Sequence, residues 1–172
     1  MEQPDDTLDI LTYPDPVLRN KAETIEEIDG ELQRLIDDML HTMYSAPGIG
    51  LAANQVGKLK QVIVFDLRPT KEGQDPVALI NPEIVMSEGL ISYEESCLSV
   101  IDFSTEVTRS SHVKVQGLDR HGSPLDIEAE GLLAICLQHE IDHLKGVLFI
   151  DYMSSVKRAL YKKRLLKKLK TA

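Results

Sequence analysis

At 172 residues with a net charge of −9, the chain is long enough for one domain with a substantial core, and its ordinary composition excludes disordered and fibrous classes. The opening Met1-Glu2-Gln3-Pro4-Asp5-Asp6 is acidic and lacks an apolar segment, so it is expected to be neither a secretory signal nor a transit peptide, and no run reaches membrane-span length. Two cysteines fit a reducing compartment better than a disulfide framework. No linker, repeat or low-complexity tract divides the chain, so residues 1–172 are read as a single domain. In chain order, Tyr13-Pro14-Asp15-Pro16 favours turns over regular structure. From Asp29 onward Leu32, Leu35, Ile36, Met39, Leu40 and Met43 recur at helical spacing, with Asp29 or its neighbour as the cap. His41 falls beside that stripe as a boundary residue.

Pro47 ends this helix, and Gly48-Ile49-Gly50-Leu51-Ala52-Ala53-Asn54-Gln55 follows. The pattern matches GxGxxA, but a dinucleotide turn follows a strand and opens a helix. Here the loop follows a helix and precedes the strand-like Gln61-Val62-Ile63-Val64-Phe65. Two glycines have another use, which is to let a substrate backbone lie close to the protein, with Gln55 as a polar amide beside it. Val77 to Met86 is β-like but interrupted by Asn81-Pro82, so two short strands or one bulged edge strand are expected. The stretches 105–109 and 112–118 alternate with period two, and Asp119-Arg120-His121-Gly122 reads as a hairpin turn into Pro124 to Glu128. His112 and His121 fall on exposed phases.

A long apolar run begins at Gly131, and Leu132-Leu133-Ala134-Ile135-Cys136-Leu137 is apolar almost all round, which predicts a buried helix. Into it enter His139-Glu140-Ile141-Asp142-His143. Residues four apart on a helix point nearly the same way, so both imidazoles can face one ion from successive turns. Burying two histidines and two carboxylates without a strong partner is costly, which favours a metal over an ordinary amphipathic helix. Glu140, one step round from His139, is placed to carry a proton.

A catalytic site of the zinc type needs a third protein ligand. The stretch HEIDHLKGVLF imitates a longer metalloprotease motif but has Phe149 where a third His belongs, and Asp151, the last carboxylate, comes too soon to fold back. The ligand must lie upstream. Cys136 sits a helical rise of about 10 Å from His143, too far to share a compact tetrahedron, and is read as a small core residue. Cys97, within Glu94-Glu95-Ser96-Cys97-Leu98-Ser99, is the better candidate because a thiolate suits zinc or ferrous iron. Spacing alone leaves ligation and a plain loop cysteine both open.

The last sixteen residues, 157–172, hold eight basic side chains and no acid. Leu160, Tyr161, Leu165, Leu166 and Leu169 are interleaved with them, and residues 153–172 are read as a basic helix with an apolar stripe. Such a helix either docks its stripe on the domain or binds a polyanion such as RNA. The order helix, strands, helix gives an α+β class: antiparallel strands packed around a buried metal-binding helix, with an N-terminal helix and a basic C-terminal one.

Taken together, GIGLAANQ at 48–55, ESCLS at 95–99 and HEIDH at 139–143 closely resemble the three motifs of the peptide deformylase family, over a similarity running from about Leu8 to Tyr152. The resemblance implies that Cys97, His139 and His143 are metal ligands for ferrous iron, with zinc, nickel or cobalt as substitutes. It implies removal of the formyl group from the N-terminal formyl-methionine of new bacterial polypeptides, with release of formate, in the cytoplasm and without a membrane. Glu140 would exchange the proton, and the amide of Gln55 and the backbone N–H of Leu98 would meet the oxyanion. Ile49, Gly50, Glu95, Ser96, Leu132, Ile135 and Cys136 would bind substrate. Asp142 would pair with Arg109 to orient the helix, and the basic C-terminal helix would make the ribosome a partner.

Three positions depart from the family pattern: Ser96 replaces a glycine, Ile101 a frequent proline, and Ser104 an arginine that helps hold the peptide. Altered peptide affinity with retained deformylation is expected, since no ligand, base or oxyanion donor is lost. A metallopeptidase, or a non-enzymatic metal- or RNA-binding relative, are the alternatives.

Overall fold

Val62-Ile63-Val64-Phe65 presents apolar side chains to both faces of a strand and therefore needs a cover on each side. The structure, a computed structural model describing residues 7–68 and 73–172, supplies both covers. The acidic opening, residues 1–6, lies outside the described residues. The chain runs through α1 (Gly30–Ser45), β1 (Gly50–Ala52), β2 (Val62–Phe65), β3 (Val77–Glu88), β4 (Ile91–Cys97) and β5 (Val100–Arg109). It continues through β6 (His112–Leu118), β7 (Pro124–Glu130), α2 (Gly131–Leu144) and α3 (Ser155–Lys170). One antiparallel sheet has the order β1-β2-β3-β6-β7, and β4 and β5 pair separately.

Helix α1 starts where the Asp29 carboxylate accepts the Leu32 N–H at 2.9 Å, as the helical spacing predicts. Its buried face, including Leu32, Ile36, Met39 and Met43, packs on Leu51, Val62, Val64 and Ile80. Ile63 and Phe65 point the opposite way, onto a second cluster with Ala134, Leu137 and Ile141 of α2. Gly131, at φ +57°, turns β7 directly into α2, a backbone conformation that favours glycine. With the sheet on one side and side chains of the β4–β5 hairpin reaching it from another, α2 is buried around most of its circumference. The α+β class expected from the sequence is the one observed.

Three expectations change. Residues 77–88 form one strand, and it lies between β2 and β6 rather than at an edge. Pro82 is tolerated there because the register slips between Ile80 and Glu83. Asn81 spans that slip with a side chain that bonds both the N–H and the carbonyl of Ile25, each at 2.9 Å. The segment before Cys97 is a strand, β4, hidden from sequence reading by the unbroken polar run Glu94-Glu95-Ser96. The apolar stripe of α3 docks only in part: Tyr161 is buried and Leu165 half-buried, while Leu160, Leu166 and Leu169 are exposed.

Ile63, fully buried between the sheet and α2, reports on this packing. Ile63→Ala is expected to lower the unfolding free energy by about 2–5 kcal/mol in urea titration, with the slope of the transition unchanged.

Candidate metal centre and active site

Helix α2 brings His139 and His143 together with their Nε2 atoms 3.2 Å apart. From the end of β4, the Cys97 Sγ lies 3.3 Å from His143 Nε2. The three ligand atoms all fall within 4.8 Å of one another. Bonds of about 2.0–2.3 Å to a tetrahedral ion place its donors roughly 3.3–3.8 Å apart, close to these separations. One thiolate with two imidazoles is a donor set suited to zinc or ferrous iron. The residues therefore fit a metal ion. Cys136 is not part of this group; its thiol lies 3.9 Å from the Ile49 carbonyl oxygen, and burial raises its pKa. Phe149, where a third histidine was sought, stacks on His139 at 6.0 Å between ring centroids.

His139 is held from behind by buried charge. Glu95, on β4, faces His139 Nδ1 at 2.8 Å through Oε1. Arg109, on β5, donates from Nε to Glu95 Oε2 at 2.6 Å, from one terminal nitrogen to Glu95 Oε1 at 3.0 Å and from the other to Asp142 Oδ2 at 2.9 Å. The pair of Arg109 with Asp142 is thus formed, and Tyr152 adds its hydroxyl to the same Asp142 oxygen at 2.7 Å. Burial opposes the charge on Glu95, but the bonds to His139 and Arg109 outweigh it and hold its pKa below the usual value. Fixing Nδ1 of His139 in this way leaves Nε2 to face an ion.

Glu140 is 5% exposed, and its Oε2 has no hydrogen-bond partner. Burial pushes its pKa up to about 7, against the opposing charges of His139 and Arg109. Gly50 makes room for it: a Cβ on that residue would lie 2.7 Å from Glu140 Oε1. Gln55 is locked by its Oε1, which accepts the Ala52 N–H at 2.9 Å, while Nε2 donates to Ser99 Oγ at 3.0 Å and lies 3.6 Å from Cys97 Sγ. These groups open onto a cleft of about 380 Å³.

Of the site residues inferred from sequence, Glu140, Gln55, Leu98, Cys97, His139, Ile49, Gly50, Glu95, Ser96, Leu132, Ile135 and Cys136 all line that cleft, and His143 lies buried behind them. Both carboxylate oxygens of Glu95 are engaged with Arg109 and His139, so its side chain braces His139 rather than reaching into the cleft. Sequence reading missed Tyr93, Glu94 and Pro47 on the cleft wall, and Ser99 and Tyr152 behind it. The run Glu94 to Ser99 held a signal for part of this, because period two places Glu95, Cys97 and Ser99 on one side of an extended strand.

The family description of polypeptide deformylase matches residues 7–159. The chain belongs to the peptide deformylase family. It is 57% identical over 157 residues to the peptide deformylase of Thermodesulfovibrio yellowstonii, covering 91% of this chain and 95% of that one. The Syntrophobacter fumaroxidans peptide deformylase is 53% identical, at 96% and 97% coverage. Among solved structures, that of a peptide deformylase from Legionella pneumophila superposes with a TM-score of 0.89 at 44% identity, over 96% of this chain and 98% of that one. The Synechococcus elongatus enzyme in complex with actinonin gives 0.87 at 44% identity, with 98% and 90% covered. The family is one of enzymes, so the cleft is read as an active site.

Two substitutions probe the site. Gly50→Ala is expected to displace Glu140 and lower kcat about 100-fold, since a 1 Å misplacement of a reacting group costs on that order; steady-state kinetics on a protein with unchanged circular dichroism checks this. Arg109→Ala leaves Glu95 buried without its main partner. Thermal and urea unfolding should show a loss of about 3–5 kcal/mol, accompanied by roughly 10–100-fold weaker metal retention.

Proposed function

We propose that the protein removes the N-formyl group from the N-terminal methionine of newly synthesised polypeptides and releases formate, using a divalent ion held by Cys97, His139 and His143. One observation carries the reading: a thiol and two imidazoles converge beside a buried, unpartnered carboxylate on an open cleft. Family membership supplies the reaction. Ferrous iron is the metal proposed, with zinc, nickel or cobalt able to replace it.

The ion, when bound, supplies a Lewis acid that lowers the pKa of water and polarises the formyl oxygen. Glu140 takes a proton from the attacking water and later delivers it to the departing amine nitrogen. Burial raises its pKa, which favours holding the proton between the two steps. Gln55 Nε2 and the Leu98 N–H donate to the oxygen on which negative charge develops. The bond of Ala52 N–H to Gln55 Oε1 orients that amide before substrate arrives.

The peptide lies between residues 48–50 and β4. Among the described residues strand β4 pairs only with β5, which leaves its other edge to bond an extended chain. Ile49, Leu132, Ile135 and Cys136 form an apolar wall of the cleft that suits the methionine side chain. Ser96 and Glu95 belong to the opposite wall. At the place of the family's arginine, Ser104 donates to Glu94 at 2.8 Å, so its hydroxyl steadies a cleft residue instead of a peptide. The exposed basic side chains of α3 fit a polyanion, and the ribosome is the partner proposed for it. The work is placed in the cytoplasm of a bacterium, in keeping with bacterial relatives; no helix among the described residues is long and apolar enough to cross a membrane.

Anaerobically purified, iron-loaded protein should release formate from formyl-Met-Ala-Ser and leave the tripeptide intact. Glu140→Gln should retain the metal and lose about 10²–10⁴ in kcat, whereas Cys97→Ala should lose the metal in elemental analysis. Formate release no faster than with free iron, or cleavage of the Met–Ala bond, would refute the assignment.

A further inference from the structure

Cys97 is the one proposed ligand that does not sit on α2, and the pairing around it is irregular. The β4–β5 register slips between Ser96 and Cys97, so that Cys97 stands opposite Val100 after a turn of two residues. A slip of this kind leaves the strand locally unfixed by its ladder. Val100 is held in the core beside Leu148 and Phe149; the next residues, 101–103, need another support.

That support comes from α3. Tyr161 is the one residue of this helix that is buried, at 5% exposure. Its hydroxyl donates to the Ile101 carbonyl at 3.4 Å, and its ring lies 4.5 Å from that of Phe103 between centroids. Lys168 pairs with the Asp102 carboxylate, and Asp102 holds φ +55°, where residues other than glycine rarely rest without neighbours to keep them there. Phe103 in turn lies 6.1 Å from Phe149, the ring stacked on His139. On its other side Tyr161 faces Tyr13 at 6.3 Å, whose N–H donates to the Ser99 carbonyl at 2.7 Å. Ser99 is the residue that fixes Gln55. A single side chain therefore backs the segment after the thiol, the ring behind one imidazole and the partner of the amide.

We infer that Tyr161 is a positioning residue of the metal centre and that α3 acts through it as a clamp on the Cys97 turn. This rests on the reading of Cys97, His139 and His143 as ligands. Tyr161 touches neither the ion nor the substrate; it limits how far the thiolate moves from the imidazoles. The exposed Leu160 and Leu166 on the same helix have no such path to the ligands, so a merely helix-stabilising role predicts that they matter as much as Tyr161.

The test uses the full chain loaded with cobalt(II), whose bond to a thiolate gives a near-ultraviolet absorption. Cobalt loss to a chelator, that absorption, kcat and KM are compared among the parent, Tyr161→Ala, Tyr161→Phe and Leu166→Ala. Tyr161→Ala is expected to release cobalt about 10-fold faster, in line with other residues that brace metal ligands, with a weakened thiolate band and a lower kcat at unchanged KM. Tyr161→Phe, which keeps the ring, should regain most of the loss, and Leu166→Ala should match the parent. If Tyr161→Ala does not fold, Tyr161→Leu carries the same criterion. A folded Tyr161→Ala or Tyr161→Leu that holds cobalt as long as the parent overturns the inference, as does equal acceleration in Leu166→Ala. A parent that binds no cobalt instead overturns the metal reading itself, and the inference with it.

Discussion

The structure depends on one buried cation. Arg109 is 5% exposed and reaches two carboxylates from separate elements, Glu95 on β4 and Asp142 on α2. Withdrawing these charges from water costs several kcal/mol per ion, so the arrangement persists only because each is met by a partner of opposite sign in good geometry. The consequence is spatial. A two-stranded hairpin with no place in the main sheet is tied to the central helix by the network that also bonds His139. The same tie decides where the end of β4 falls, and hence where the thiol of Cys97 stands relative to the imidazoles.

A second constraint is the contrast between two glutamates in one cleft. Glu95 is charged and fully engaged, with its pKa held down by His139 and Arg109. Glu140 is as deeply buried, but its Oε2 has no partner and its pKa is pushed up. Equal burial with unequal bonding separates a carboxylate that braces His139 from one left free to exchange a proton, the part proposed for Glu140. Gly50 keeps that separation, since any side chain there would press on Glu140 and turn it from the open cleft.

Much of this was legible in the sequence where a residue's role follows from its own neighbours. The Asp29 cap, the buried face of α1, the β6–β7 hairpin and the all-round burial of α2 each express a local period or a capping preference. The pairing of the two histidines was legible for the same reason. Contacts between distant segments were not: spacing left Cys97 undecided between ligand and loop residue, and only the meeting of β4 with α2 joins it to the imidazoles. Strand β4 escapes notice because Glu94, Glu95 and Ser96 break the alternation, and 77–86 reads as two short strands or a bulged edge strand because Pro82 forbids a regular ladder, though a bulge accommodates it inside the sheet. The triple role of Glu95, Arg109 and Asp142 needs three elements at once, so the resemblance paired Asp142 with Arg109 while the carboxylate between Arg109 and His139 went unread.

The departures from the family pattern gain meaning from the pleat of the hairpin. Side chains alternate along a strand, so Glu95 and Cys97 face the histidines of α2 while Glu94 and Ser96 turn outward. Both outward residues are exposed, and so is Ser104, which stands opposite Ser96 and bonds to Glu94. Ile101 is exposed as well, with its carbonyl held by Tyr161. All three departures therefore fall on the face that meets solvent, the cleft or α3, and none on the face that meets the histidines. A strand that turns Glu95 and Cys97 toward α2 and other side chains toward the cleft can change the second set without disturbing the first. That division explains how Cys97 stays beside His139 and His143 with three unusual residues within eight positions of it.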